Sequence, residues 1–157
     1  MGRPEIDDIL PVSSLQEGIL FHVRFDGTSS IYWNQLVATV RGDLDVDAFR
    51  SAWDAVARRH AALRTSFVLD GRDRPLQIVS RRVDVPWSTD DWRDATRDEV
   101  ESRLAAFLEK DRARGIDISR PPLFRCALFR TGEREHELVW SQHHAIIDGW
   151  SWPIVFR

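Results

Sequence analysis

LFRCALFRTGEREHELVWSQHHAIIDG, residues 123–149, is the stretch that decides the fold. LFRCALFR, following Pro121-Pro122, is apolar enough to read as a strand, and Thr131-Gly132-Glu133-Arg134 is turn chemistry. HELVWSQH, residues 136–143, then reads as the returning strand, which makes the region a hairpin. Two adjacent histidines end that strand, and an Asp-Gly pair closes the loop after them. Neighbouring side chains on an extended backbone point to opposite faces. His143 and His144 therefore cannot both face one cavity: one packs inward, and the other stands at the strand end.

Helical and strand patterns alternate upstream of the hairpin. Residues 10–25 read as a helix, with Ser13 and Gln16, or Ser14 and Glu17, at capping-box spacing, and with Leu15, Ile19 and either Leu20 or Phe21 on one face. Residues 31–40, IYWNQLVATV, read as a strand stopped by Arg41-Gly42. Asp45–Arg59 is a second helix, because Val46, Phe49, Trp53 and Val56 keep the 3.6-residue period. Thr65–Leu69 and Leu76–Val79 read as short strands around an Asp70-Gly71 turn. Residues 80–92 read as polar, turn-rich chain. The longest helix is expected over Asp94–Arg112, with Val100, Leu104, Phe107 and Leu108 as its apolar stripe and Gly115 as its stop. Its charged stretch, 88–103, reads as a solvated face. The pattern implies one α/β unit without repeats.

Composition narrows the classes of function. The chain has 157 residues, with 22 Lys+Arg against 25 Asp+Glu and a formal charge of −3, so it lacks the basic surplus that phosphate-backbone binding needs, and no nucleic acid is expected as a partner. Seven Trp and eight Phe require a sizeable core. No run of 18 apolar residues is present, so no membrane partner is expected either. Acidic residues lie where a signal peptide would be apolar, and a cytoplasmic location is expected. The lone cysteine, Cys126, excludes an internal disulfide and reads as a small buried hydrophobe.

The chemistry concentrates at SQHHAIIDGWS, residues 141–151. Zinc needs three or four placed ligands, and adjacent histidines on opposite faces supply one, so no metal is expected. Gly149-Trp150-Ser151-Trp152-Pro153 lacks the last glycine of a serine nucleophile elbow. Neither a dinucleotide fingerprint nor a phosphate loop occurs. A single histidine acting as a base remains, with an aspartate and a glycine shaping its loop.

HHAIIDG resembles the HHxxxDG motif of condensation domains of nonribosomal peptide synthetases, and its HxxxDG part is shared with the wider chloramphenicol-acetyltransferase-like superfamily. LQEGILFH, residues 15–22, is similar to the first motif of that family, and RHAALRTSF, residues 59–67, to the second. The resemblance spans essentially the whole chain. It implies an α/β sandwich lobe with a mixed or mostly antiparallel sheet and helices packed on it. It further implies that residues 1–157 are the N-terminal lobe of a two-lobed domain, cut soon after the motif, with the C-terminal lobe as a partner. The apolar end, Trp150 to Phe156, fits that expectation.

The resemblance also implies roles for residues. His144 becomes the catalytic histidine and His143 a structural one. Asp148 is expected to turn away from substrate and pair with Arg64. Gly149 is expected at a tight turn beside the channel, and Trp150, Ser151 and His22 are candidates for lining it. The implied reaction is attack by the amine of an acceptor aminoacyl carrier on the thioester of a donor acyl or peptidyl carrier. No cofactor is expected on the domain itself, since both substrates arrive on the 4'-phosphopantetheine arms of peptidyl carrier proteins. LQEGILFH and EKDRARGID look closest to the subtype that accepts a D-configured donor. A free-standing coenzyme A-dependent acyltransferase and a non-catalytic recruiting domain are the alternatives, and the first two motifs and the intact histidines weigh against them.

Overall fold

The structure is a computed structural model that describes residues 5–26, 29–69 and 74–156. Among these residues four α-helices and seven strands follow one another as β1 (Ile6–Pro11), α1 (Ser14–Asp26), β2 (Trp33–Arg41), α2 (Val46–Arg59), β3 (Thr65–Val68), β4 (Leu76–Ser80), β5 (Trp87–Asp91), α3 (Arg97–Arg114), β6 (Phe124–Gly132), β7 (Glu135–His143) and α4 (Trp152–Val155). The strands form two sheets, a four-stranded one ordered β2-β7-β6-β5 and a three-stranded one ordered β1-β4-β3. Every pairing is antiparallel except β5 with β6, so the larger sheet is mixed.

The expected β6–β7 hairpin stands at the centre of the larger sheet, with Cys126 opposite Trp140 and Leu128 opposite Leu138. Its strands alternate between two apolar layers. Phe124, Cys126, Leu128, Leu138 and Trp140 join Trp53 and Ala57 of α2 in the main core. Ala127, Phe129 and Val139 face the other way, against Trp92 and the Val100, Leu104, Phe107 and Leu108 stripe of α3. Helix–sheet–helix layering of this kind is the sandwich the sequence predicts. Burial of each large side chain contributes roughly 1.5–3 kcal/mol, so the hairpin, buried on both faces, adds to both apolar layers.

Local chemistry sets the helix ends. Asp45 caps α2 by accepting the Ala48 N–H at 2.9 Å. Thr96 and Glu99 form a reciprocal capping box on α3, the Glu99 carboxylate taking the Thr96 N–H at 2.7 Å. Helix α3 therefore starts later than the apolar stripe alone suggests, and it stops at Gly115, whose φ of 60° suits a residue without a Cβ. At α1 the Ser13–Gln16 alternative is the one formed: the Ser13 N–H donates to Gln16 Oε1 at 2.8 Å. Ile19 and Leu20 are its buried residues, whereas Leu15 and Phe21 face outward.

Two strands lie where the sequence predicts none, and both are edges. All six residues of β1 are exposed, and β5 is exposed after its first residue. Hydrophobic periodicity registers burial, so a strand held mainly by backbone pairing at a sheet edge escapes it. The Asp70-Gly71 turn lies outside the described residues, although β3 and β4 pair antiparallel on either side of it.

Candidate functional site

Strand β7 delivers the two histidines to the end of the larger sheet. His143 still pairs with Trp33 of β2, and its N–H donates to the Leu123 carbonyl at 2.9 Å. One residue on, the His144 N–H donates to the Tyr32 carbonyl at 2.8 Å. The next three residues leave the sheet, and Ala145, Ile146 and Ile147 are all buried in the main core. An apolar tether thus fixes the loop immediately behind His144.

The histidines divide as strand alternation requires. His143 is fully buried, and its Nδ1 accepts the Ala145 N–H at 3.2 Å. Burial, with a smaller effect from a neighbouring charge on His144, pushes its pKa down to about 4, so the ring is neutral at physiological pH and carries its proton on Nε2. His144 is half-exposed. Its Nδ1 lies 3.3 Å from Nδ2 of Asn34, the β2 residue directly opposite Gln142. Gln16 of α1, from the LQEGILFH segment, donates from Nε2 to the Ala145 carbonyl at 3.1 Å and ties that helix to the loop.

Asp148 and Arg64 do not form the expected pair. Arg64 ends the short 3-10 turn Ala61–Arg64 that leads into β3, so its guanidinium emerges beside the smaller sheet. There it donates to the Ser80 carbonyl and to Asp7 of β1, the latter at 3.1 Å. Asp148 belongs to the loop after β7, and its Oδ1 accepts the Ser151 hydroxyl at 2.7 Å and the Ser151 N–H at 2.9 Å. The Ser151 hydroxyl is the main cause that holds this carboxyl below its usual range, with the charge of His144 adding to it. Asp148 acts as the internal brace of its own loop, and Arg64 as a clasp within the smaller sheet.

Gly149 lies in the expected turn, which the Ser151 N–H closes by donating to the Asp148 carbonyl at 3.2 Å. Only Gly42 and Gly115 have positive φ among the described residues, and a Cβ placed on Gly149 would meet no atom within 4 Å. Neither backbone conformation nor crowding within these residues requires a glycine at that position. Trp150 is 91% exposed, while Trp152 packs edge-on against Trp140 at 5.8 Å. Ser151 is engaged with Asp148. His22 is exposed and meets Tyr32 edge-on at 6.1 Å, which places it at the same end of the sheet as His143 and His144.

A polar cluster lies behind the histidines on the α3 side. Asp111 is buried, and its carboxylate accepts the Trp33 indole N–H at 2.9 Å and the Gln35 amide at 2.8 Å while pairing with Arg125. Burial works to raise the Asp111 pKa, but hydrogen bonds from Arg125, Trp33 and Ser141 outweigh it and hold the carboxyl low. The Arg125 guanidinium stacks over the Trp33 ring at 4.3 Å. A signal for this cluster is present in the sequence: Asp111 follows Leu104, Phe107 and Leu108 at i+7, i+4 and i+3, and so sits on the apolar stripe of α3. Cys126 is buried as expected, and desolvation drives its thiol pKa upward.

Among the described residues no helix is long and apolar enough to cross a membrane. Residues 6–157 match the protein family described as "Condensation domain". A component of the linear gramicidin synthase of Brevibacillus parabrevis is 42% identical over 153 residues, which cover 98% of this chain and 2% of that protein. A component of the mycosubtilin synthase of Bacillus subtilis is 37% identical over 153 residues, covering 98% of this chain and 6% of that protein. The fold superimposes on a four-domain nonribosomal peptide synthetase bound to AMP and glycine with a TM-score of 0.84, at 25% identity, over 100% of this chain and 12% of the other. The first condensation domain of the calcium-dependent antibiotic synthetase, solved with a substrate analogue, shares the fold at a TM-score of 0.84 and 20% identity, over 97% of this chain and 38% of the other. The chain thus spans a small fraction of the length of these curated relatives.

Proposed function

The chain belongs to the condensation-domain family, and from that premise we propose that it forms the N-terminal lobe of a peptide-bond-forming domain in a nonribosomal peptide synthetase. The observation that carries this reading is the division of the histidine pair. His143 is sealed in the core, while the His144 ring stands half-open at the strand end, on a loop tethered from behind.

In the proposed reaction the amine of the acceptor aminoacyl carrier attacks the donor thioester carbonyl. A C–N bond forms, the C–S bond breaks, and the donor carrier leaves as a free thiol. His144 is the imidazole at the reacting centre, and it positions the reactants and hydrogen-bonds the charge that develops as the amine attacks. A donor of this kind is worth roughly 10²–10³-fold, and holding the two reactants together supplies much of the remainder. His143, Asp148 and Gln16 act as supports for the loop. Donor and acceptor peptidyl carrier proteins, each with a phosphopantetheine arm, are the proposed partners, together with the second lobe. We propose no resident cofactor, metal, nucleic acid or membrane, a cytoplasmic location, and a preference for a D-configured donor.

The test uses the full-length synthetase mixed with donor and acceptor carriers loaded with aminoacyl groups. A dipeptidyl thioester on the acceptor carrier, detected by mass spectrometry, is the expected result. Amide formation only from a coenzyme A thioester would assign a free-standing acyltransferase, and no condensation from either source would assign a recruiting domain.

A further inference from the structure

Strand β2 begins with three residues whose side chains divide between the two faces of the larger sheet. Trp33 and Gln35 point toward α3, and both are fixed by Asp111, the first through its indole N–H at 2.9 Å and the second through its amide at 2.8 Å. Gln35 also donates to the Leu108 carbonyl at 3.0 Å and receives the Arg112 guanidinium at 3.1 Å. Asn34 lies between them and by alternation points to the opposite face. With its two neighbours clamped, its backbone has little freedom, and its amide nitrogen lies 3.3 Å from Nδ1 of His144. It is also the only asparagine in the chain, set within a strand of aromatic and β-branched residues that do not favour it.

We propose that Asn34 is a positioning residue for His144, donating from its amide nitrogen to Nδ1 and so fixing both the ring orientation and the nitrogen that carries the proton. The inference rests on the reading of His144 as the reacting imidazole. An amide N–H can only donate, so Nδ1 must accept and the neutral ring keeps its proton on Nε2. Nε2 is then the nitrogen left for substrate, and a donor there meets the thioester oxygen as it gains negative charge. Among the described residues, His144 interacts electrostatically with His143 beside it and with Asp148 across the loop, and neither of these has a hydrogen bond to its ring. The backbone bond from the His144 N–H to the Tyr32 carbonyl fixes the main chain but leaves the ring free to turn. Asn34 supplies the restraint that remains.

Two variants test the assignment, Asn34→Asp and Asn34→Leu, each checked for folding by circular dichroism. Long-range ¹H–¹⁵N spectra of this chain at pH 8 report which ring nitrogen of His144 is protonated. Wild type is expected to show the proton on Nε2. Asn34→Asp should move it to Nδ1, because a carboxylate can only accept, and Asn34→Leu should shift the Nδ1 resonance toward that of an unrestrained ring. In the full-length synthetase, Asn34→Leu is expected to lower kcat by about ten- to a hundred-fold with KM for the loaded donor carrier nearly unchanged. Identical His144 ring-nitrogen spectra in wild type and both variants would overturn the inference. A wild-type synthetase that made no dipeptidyl thioester would instead overturn the functional reading, and the spectra would still decide the role of Asn34.

Discussion

The two faces of the larger sheet treat their polar groups in opposite ways. On the α3 face, Asp111 is closed in by Trp33, Gln35 and Arg125, and the ion pair is buried. On the other face, at the same end of the sheet, His144 is half-exposed, and among the described residues its ring is held by one contact of 3.3 Å. A saturated network fixes geometry, whereas a lightly held ring keeps a nitrogen free for chemistry. Strand β2 links the two, since Trp33 and Gln35 serve the first face and Asn34 the second. The expected division of labour is that damage to the α3 face costs stability and damage to the His144 face costs activity.

The largest stability effect should come from Asp111→Ala, which strands the buried Arg125 guanidinium and is expected to cost about 3–5 kcal/mol in denaturant unfolding. An Asp111→Ala protein as stable as wild type would break the comparison on its structural side. His143 gives the next effect, as a function of pH. Its folded pKa of about 4 lies below the ordinary histidine value, so the unfolded chain binds the proton more readily. The contribution is complete above about pH 6.5 and is lost as pH falls toward 4, by about 3 kcal/mol in total. His143→Leu should remove that part of the slope in a stability–pH series. Asp148→Ala removes two hydrogen bonds to Ser151 rather than a buried ion pair, and a loss of only about 1 kcal/mol is expected in the same assay. A loss several times larger would restore a bracing partner to Asp148. Arg41→Ala breaks an exposed pair with Glu135 and should leave the unfolding midpoint unchanged.

What the sequence reveals follows from what each element buries. The β6–β7 hairpin and helices α2 and α3 each bury a face, so their periodicity is plain and their positions agree with expectation. Strands β1 and β5 bury almost nothing, so periodicity does not register them: the end of β1 reads as the start of a helix and β5 as turn-rich chain. At the site, the alternation of His143 and His144 follows from backbone geometry and is legible without coordinates. The partner of Asp148 is not: a charge in a loop can meet any group that the tertiary fold brings near, and Ser151 is closer than Arg64. Asn34 and Asp111 lie between these cases. Each is a polar residue in an apolar pattern, which marks it as partnered without naming the partner.

The division of labour is tested most directly by His144→Ala in the full-length protein, with formation of the proposed dipeptidyl thioester and thermal unfolding measured on the same preparation. The expected result is product formation reduced by roughly 10²–10³-fold with an unchanged unfolding midpoint. Product formation at the wild-type rate would contradict the assignment of His144 to the reacting centre.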